Sequence, residues 1–226
     1  RSAVSIARRL QDPLAELVKI EPKAISVGQY QHDMNQKKLT EQLDFVVEKV
    51  VNQEGVNINT ASPSLLQYVY GLSMTIAKNI VKYREENGKF TSREQIKKVS
   101  KLGNKTYEQS VGFLRIIEGN EKFDETSIHP ENYDDALRLL KHLSLTKEDI
   151  GSDFAKKIIS GIDKEEVKNT LAIDGYLLDD LLDAFVSPHR SPRDNYQAPV
   201  LKSDVLKIED LKKGMKLQGV VRNVVD

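Results

Sequence analysis

The sequence predicts a mainly helical protein with two small helical domains in succession. Apolar residues recur at helical spacing up to residue 186, and a segment of thirty residues is repeated in tandem. The only clearly strand-like run lies at 217–225, near the end of the chain. A mainly α fold with one late strand follows from these three observations.

Composition excludes several classes of protein. The 226 residues are 39% hydrophobic and 30% charged, which is enough for compact cores and too polar for a membrane span. Without cysteine there is no disulfide or thiolate zinc site, and four scattered histidines offer little for another metal centre. We therefore expect no cofactor, no metal and no membrane partner. Because the chain begins at Arg1 without an apolar leader, we expect a piece of a longer protein that is not secreted.

Charge is unevenly distributed along the chain. The 34 basic residues balance 34 acidic ones, but the net charge is +1 over residues 1–36, +4 over 37–118, −8 over 121–187 and +3 over 188–226. Only a basic segment is attracted to phosphate, so the second and third segments are expected to have different neighbours. Solvated helix faces explain the acidic segment equally well.

The first third of the chain predicts three helices. Residues 2–9 and 13–19 have short amphipathic patterns, and Pro13 is typical of a first helical position. Residues 39–53 carry one apolar stripe, which Gly55 ends. These patterns predict two short helices followed by a longer one.

The next helices are predicted from their first residues. Ser62 before Pro63 indicates a helix start with a capping hydroxyl, and Ser92 with Gln95 three residues later is a capping-box pattern. Each signal is expected to open a short helix.

Short helices separated by glycines are also predicted beyond Gly119. They are expected near 130–142, 147–160, 164–172 and 176–186. Asp163 with Glu166 predicts a capped start for the third of them. The segment 187–194 has two prolines and is predicted to be a linker or an exposed loop.

The thirty-residue repeat is the most informative feature of the sequence. Its aligned positions share size and character: Ser62 with Ser92, Leu66 with Ile96, Val69 with Val99, Leu72 with Leu102, Val81 with Val111 and Tyr83 with Phe113. Each copy predicts a short helix, a tight connection and a longer second helix. One copy cannot bury its own apolar face, so we expect the two to pack about a pseudo-twofold axis with Leu72 and Leu102 pointing inward.

The two connections resemble the helix-hairpin-helix motif, in which an apolar-x-Gly-apolar-Gly-x-Lys/Thr pattern joins two helices. The first copy keeps the leading glycine as Gly71 and has Ser73 in place of the second, whereas the second copy has Lys101 first and keeps Gly103. In that family, backbone N–H groups at the start of the second helix face a phosphate, which the missing side chain allows to approach. The resemblance implies the tandem helix-hairpin-helix domain of many DNA-repair and transcription proteins.

The same resemblance implies a nucleic-acid site on both turns, with backbone donors from 73–76 and 103–106. Hydroxyl, amide and ammonium groups on the first helical turns would add phosphate contacts. The predicted nucleic-acid-binding residues are Gly71, Ser73, Thr75, Lys78, Lys101, Gly103, Asn104, Lys105 and Thr106. None of them can read a base, so we expect sequence-nonspecific binding of the DNA or RNA backbone with strong salt dependence. Ordinary turn chemistry is the alternative explanation of the small residues.

Longer strings of sequence resemble the bacterial Tex transcription accessory proteins. They are Arg8 through Ile20, Val27 through Asp33, Asn57 through Pro63 and His129-Pro130-Glu131. The resemblance implies a cytoplasmic, multidomain, nucleic-acid-binding protein that is related in architecture to a eukaryotic transcription elongation factor. RNA polymerase or other transcription machinery would then be a partner.

Four segments are expected from the domain order of that family. Residues 1–36 would be the tail of an RNase H-like domain with its exit linker, 37–119 the tandem helix-hairpin-helix domain, 120–200 a second helical domain with a linker, and 201–226 the truncated start of an OB-fold RNA-binding domain. One strand cannot close a five-stranded barrel, so RNA binding by that domain is expected to be missing here.

An enzyme and a protein-interaction scaffold are the competing classes. A glycosylase with this motif would need an aspartate in a Gly-Pro-Asp context, whereas Asn104-Lys105 follows the second turn. The acids at 179–183 are interpreted as an exposed helix face, so we expect no catalysis. The alternative function is a scaffold that docks transcription machinery or sister domains through the acidic helices of 121–187.

Overall fold

A computed structural model describes residues 2–25 and 28–188 of the chain. The α-helices within these residues are Ser2–Gln11 (α1), Pro13–Leu17 (α2), Gln36–Glu54 (α3), Pro63–Leu66 (α4), Met74–Asn87 (α5), Asn104–Ser110 (α6), Tyr133–His142 (α7), Asp153–Ser160 (α8), Lys164–Leu171 (α9) and Gly175–Val186 (α10). Short 3-10 helices occupy Pro22–Ile25, Gln31–Asp33, Arg93–Lys98, Val111–Phe113, Lys122–Glu125, Pro130–Asn132 and Lys147–Asp149. The mainly α fold class is therefore confirmed.

Two predicted features fall outside the described residues. They are the strand-like run at 217–225 and the OB-fold segment 201–226 that contains it. The four domain boundaries given above stay predictions. None of the helices in the described part of the chain is long and apolar enough to cross a lipid bilayer.

The capping predictions at the two repeats are wrong. The N-cap residue Ser62 makes no side-chain capping bond, because the N–H of Leu65 is already bonded to the Ser62 carbonyl at 3.0 Å. Ser92 likewise lacks a capping bond, since the N–H of Gln95 donates to its carbonyl at 3.1 Å. The Gln95 side chain instead bonds Thr91, with Oε1 accepting from the backbone N at 2.9 Å and Nε2 donating to the hydroxyl at 3.0 Å. Both short helices therefore start through backbone i→i+3 bonds.

Buried apolar side chains form two clusters. The first extends from Val51 to Ile116 and the second from Phe123 to Phe185. Leu72 and Leu102 lie in the first cluster at 7% and 8% exposure, so the prediction that both point inward is confirmed. Burial of each such side chain contributes about 1.5–3 kcal/mol.

A short parallel strand pair was not predicted from the sequence. Val56–Asn57 (β1) pairs with Leu114–Arg115 (β2), and Val56 is the partner of Leu114. The N–H of Ile58 continues the pairing by donating to the Arg115 carbonyl at 3.0 Å. The pair joins the segment before the first hairpin to the segment after the second.

The side chain of Arg93 connects the two apolar clusters. It is 2% exposed and donates to the carbonyls of Leu114 at 2.8 and 3.0 Å, Thr126 at 2.8 Å and Ile128 at 2.6 Å, and to the Tyr133 hydroxyl at 2.7 Å. A buried guanidinium is tolerated only when its donors are satisfied, so these bonds fix the second cluster against the first.

A carboxylate completes this network. The Tyr133 hydroxyl donates to Asp124 Oδ1 at 2.6 Å, and Asp124 Oδ2 accepts the backbone N–H of Arg93 at 2.8 Å. Burial raises the pKa of Tyr133. Burial, and next the charge of Arg93, lowers the pKa of the nearby Arg115 to about 9.

Candidate nucleic-acid interface

The two predicted hairpin turns have the same backbone conformation. Gly71 and Lys101 have positive φ angles of 81° and 65°, and each is followed by a buried leucine. The N-cap residues Ser73 and Gly103 are both extended, with φ −94° and ψ 163° at the first and φ −83° and ψ 167° at the second. The thirty-residue repeat is therefore reproduced in the folded chain, with one strained position, since Lys101 adopts a conformation that favours glycine.

The two hairpins contact each other reciprocally. Asn79 of α5 donates its side-chain N–H to the carbonyl of Ser100, beside the second turn, at 2.8 Å. Gln109 of α6, thirty residues after Asn79, lies beside the first turn, where a methyl group added to Gly71 would come 3.1 Å from its Cβ. A reciprocal exchange of this kind is what a pseudo-twofold pair requires. It also explains the glycine at position 71, because the backbone there has a positive φ and the neighbouring Gln109 leaves little room for a side chain.

The turns present matching exposed residues. Each has an exposed left-handed residue, a buried leucine and an exposed helix start. The exposed members of the predicted site are Gly71, Ser73, Thr75, Lys78, Lys101, Gly103, Asn104 and Lys105, while Thr106 is half-buried. The carbonyl of Thr106 lies 3.5 Å from the Cβ position at Gly71, so the first turn and the start of α6 share one surface.

The repeat is not symmetric in charge. Glu108 occupies the position in α6 that Lys78 occupies in α5, so the second copy carries its exposed lysines earlier, at Lys101 and Lys105. None of these three lysines forms an ion pair with an acidic residue in the described part of the chain. Their ammonium groups are therefore available to an external anion.

Backbone donors at both helix starts are sparsely used. The Ser73 hydroxyl accepts the N–H of Ile76 at the long distance of 3.4 Å, and Gly103 has no side chain to cap α6. Within the described residues, no acceptor pairs with the N–H groups of Asn104, Lys105 and Thr106. Free donors at the start of a helix favour a negatively charged group.

Tyr107 anchors the start of α6 in the first core. It is 6% exposed, and burial, followed by the charge of Glu94, raises its pKa to about 12. Lys97 Nζ lies 4.7 Å from the centre of its ring. The neutral ring thus holds the turn from inside while the polar residues around it face outward.

A third turn of the same shape was missed by the sequence reasoning. Ala172 has φ 52°, Ile173 is buried at 5% exposure, and Asp174 is an extended N-cap with φ −60° and ψ 144° before α10. The signal in the sequence was the segment Ala172 to Gly175. As in the first two turns, an aliphatic residue stands there directly before the N-cap residue of the next helix. It was overlooked because neither motif glycine position holds a glycine.

The predicted capped start at Asp163 is confirmed. Asp163 caps α9, with its Oδ1 accepting the N–H groups of Glu165 and Glu166 at 3.0 and 3.3 Å. The acids Asp179, Asp180 and Asp183 are exposed on α10, as expected of a solvated helix face. Across residues 2–25 and 28–188, no three histidine or carboxylate side chains are grouped to hold a metal ion.

Two family models match the chain. A model described as "Helix-hairpin-helix motif" matches residues 51–115, which include both predicted turns. A model described as "HHH domain" matches residues 121–193, which include the third turn. The tandem helix-hairpin-helix assignment is confirmed, and the second helical region is also of this class.

The chain is similar to known proteins over its whole length. It is 58% identical over 226 residues to the uncharacterized protein YdcI of Bacillus subtilis and 48% identical over 227 residues to the transcriptional accessory protein Tex of Neisseria gonorrhoeae. It is 39% identical, over 99% of its length, to the human S1 RNA-binding domain-containing protein 1. These matches cover 31%, 30% and 28% of the three relatives, so the chain spans less than a third of each.

Proposed function

Because the chain belongs to the Tex family of transcription accessory proteins, we propose that its tandem hairpins bind the phosphate backbone of DNA or RNA without reading sequence. One observation carries this proposal: two adjacent turns of the same shape expose helix starts and lysines that have no acidic partner in the described residues. The match of residues 51–115 to the helix-hairpin-helix motif supports it.

Binding of this kind fits the chemistry of the two turns. Backbone N–H groups and lysines recognise phosphate oxygens, which are the same on every nucleotide. The predicted residues lie in the turns and on the first turns of α5 and α6, where backbone N–H groups and side chains contact phosphates rather than base edges. The expected interaction is therefore electrostatic, independent of sequence and sensitive to salt.

We further propose roles for the whole protein. It would act in the cytoplasm as a transcription accessory protein and contact RNA polymerase or other transcription machinery. Its RNA binding would depend in part on an OB-fold domain that begins in residues 201–226. The printed names of two relatives, a transcriptional accessory protein and an S1 RNA-binding domain-containing protein, support these assignments.

Fluorescence-anisotropy titration tests the phosphate-binding proposal. Labelled duplex DNA, single-stranded DNA and RNA are titrated at two salt concentrations with the chain and with a K78E/K105E double variant. We expect the variant to bind at least about tenfold more weakly, because two phosphate contacts are lost. We also expect the dependence of log K on log salt concentration to become shallower by about 0.9 for each lost contact.

A matched control makes the same charge change on the second helical region. Lys164 is exposed and Lys168 is half-buried, and they are paired with Asp179 at 2.5 Å and Glu165 at 3.7 Å. The K164E/K168E variant should keep the affinity of the parent chain. Equal binding by parent and K78E/K105E proteins, or no binding to any ligand at low salt, would show that the hairpins are only scaffold.

We also propose that this part of the protein is not an enzyme. The proposal is supported by the sequence after the second turn, where Asn104-Lys105 replaces the aspartate context of a glycosylase. Incubation of labelled duplex and RNA with the chain and Mg²⁺ should leave both intact. Cleavage that co-purifies with the chain, and that is lost when residues of the chain are mutated, would contradict the proposal that it is not an enzyme.

A second candidate function is docking of a protein partner on the acidic helices. Exposed aromatic side chains support it, since Tyr176 is 86% exposed and Phe154 is 56% exposed within the acidic segment. Charge reversal at Glu165, Glu166, Asp179 and Asp180 should then weaken binding to purified RNA polymerase while leaving nucleic-acid affinity unchanged. Unchanged polymerase binding would reject this candidate.

A further inference from the structure

The third hairpin turn matches the first two in backbone but not in what occupies its helix start. Ala172 takes the place of Gly71 and Lys101, each with positive φ, and Asp174 takes the place of Ser73 and Gly103. The helix that follows, α10, has twelve residues, so its N-terminal donors and dipole are fully developed. By shape alone, this turn would be a third phosphate site.

A carboxylate already occupies the donors of this turn. Asp174 Oδ2 accepts the N–H groups of Tyr176 at 3.0 Å and Leu177 at 3.4 Å. The groups at the same positions in the second hairpin are the N–H groups of Lys105 and Thr106, which have no acceptor in the described residues. The carboxylate thus supplies the negative charge that a phosphate would bring.

The other left-handed turn of the second cluster also has its own carboxylate, which bonds the N-cap residue instead of the N–H groups of the first helical turn. Ser144 has φ 56°, Leu145 is buried at 6% exposure, and Thr146 is the extended N-cap that follows. Asp149 Oδ2 accepts from the Thr146 backbone N–H at 2.8 Å and from its hydroxyl at 2.7 Å. Both turns of this shape in the acidic segment therefore carry their own carboxylate.

The net negative charge around the third turn also disfavours the binding of a phosphate. Residues 163–183 contain seven carboxylates and two lysines. Those lysines, Lys164 and Lys168, are paired with Asp179 and Glu165. An incoming phosphate would lose its donors to Asp174 and would also meet uncompensated negative charge.

We propose that Asp174 is a specificity-determining residue that keeps nucleic acid off the third hairpin and confines the phosphate track to the first two turns. The inference rests on the function proposed above for those two turns. It means that two regions of one structural class divide their tasks through the residue at the helix N-cap.

The test compares the chain with a D174G variant, which gives the third turn a glycine at the N-cap, as Gly103 is in the second turn. Backbone amide shifts of isotope-labelled protein are recorded by NMR during titration with a short duplex DNA, and the salt dependence of binding is measured in parallel. In the parent chain we expect shifts at Thr75 and Lys105 and none at Gly175 to Leu177. In D174G the amides of Gly175 to Leu177 should shift as well, and the salt slope should steepen by about 0.9.

A matched control removes the same charge elsewhere. Asp163 caps α9 through the same pair of N–H bonds but does not follow a left-handed turn residue. A D163G variant should therefore gain neither amide shifts at α9 nor a steeper slope. If D163G gains as much as D174G, net charge alone explains the result and the proposal fails.

The outcomes separate this inference from the function on which it rests. Shifts at Gly175 to Leu177 in the parent chain, or none there in D174G, overturn the inference whatever the first two turns do. Absence of shifts at Thr75 and Lys105 overturns the proposed function and, with it, the part of the inference that places the phosphate track on those two turns. In that case a gain at Gly175 to Leu177 in D174G would still support the role of Asp174.

Discussion

The first two hairpin turns and the third share one backbone and differ at the residue that begins the following helix. Ser73 and Gly103 leave most helix-start donors unused, whereas Asp174 accepts two of them. Positive φ, a buried aliphatic residue and an extended cap are common to all three. The difference teaches that one backbone presents free helix-start N–H groups in one region and N–H groups bonded to a carboxylate in the other, depending on the N-cap side chain.

The largest expected effect comes from breaking the link between the two regions. The variant R93A removes five hydrogen bonds to Leu114, Thr126, Ile128 and Tyr133 and leaves those buried acceptors unsatisfied. We expect a loss of at least about 3 kcal/mol in the free energy of unfolding and separation of one urea transition into two. Circular dichroism and tyrosine fluorescence during urea titration measure both.

Arg84 provides the control for this variant. It donates to the carbonyls of Ile58 at 2.8 Å and Ala61 at 3.1 Å, both inside the first region. R84A should lower stability without splitting the transition. A single transition for R93A at the parent midpoint would mean that Arg93 does not couple the regions.

The next effect sharpens the comparison between the first and second turns. G71A places a side chain at φ 81° and 3.1 Å from the Gln109 Cβ, so we expect a loss of about 1–2 kcal/mol in stability. K101G relieves the same strain at φ 65° and should gain about 0.5 kcal/mol after the extra chain entropy of glycine is counted. Thermal unfolding of both variants measures the pair, and changes of the same sign would contradict it.

A smaller effect compares the open and closed helix starts directly. D174A removes a cap that makes two N–H bonds and should cost about 1 kcal/mol in stability. S73A removes one long bond of 3.4 Å and should cost only a few tenths of that, roughly 0.3 kcal/mol. Chemical denaturation of the two variants side by side gives the difference. Equal losses would show that Ser73 caps α5 as fully as Asp174 caps α10.

The smallest effect concerns the second carboxylate-closed turn. The hydroxyl of Thr146, and then its backbone N–H, lowers the pKa of Asp149 from its usual value of 3.8. A lowered pKa stabilises the folded state above the unfolded value, and this contribution is lost as pH falls through the folded pKa. T146A should move the pKa of Asp149 upward, as measured by NMR titration of its side chain. A pKa that stays at the parent value would show that the hydroxyl has no part in the shift.

How much could be predicted from sequence depends on the range of the interaction involved. The repeat predicted both hairpins and the inward leucines, because Leu72 and Leu102 follow from local periodicity. The strand pair β1–β2 could not be predicted, since two-residue strands carry no periodic signal and their pairing spans 58 residues between Val56 and Leu114. The caps at Ser62 and Ser92 were wrong because each serine carbonyl takes the N–H that its hydroxyl would have bonded.

The candidate site was only half visible in the sequence. The positions of the first two turns followed from the glycines at Gly71 and Gly103, but their role in binding stays a prediction. The third turn was hidden because Ala172 and Asp174 replace the expected glycines, and its shape appears only in the φ angle of Ala172. Arg93 gave no signal at all, since burial of an arginine depends on carbonyls that lie 21 to 35 residues away.

The strand pair β1–β2 has a consequence for how this region can be transplanted. Val56 and Leu114 are paired across the two strands, so the two ends of the hairpin segment lie about 4.8 Å apart. A segment with adjacent ends can be inserted into a surface loop of a host protein without stretching that loop. The tandem hairpins can therefore be inserted in a host loop of β1–β2 spacing, once the bonds that Arg93 makes to Thr126, Ile128 and Tyr133 outside the segment are replaced.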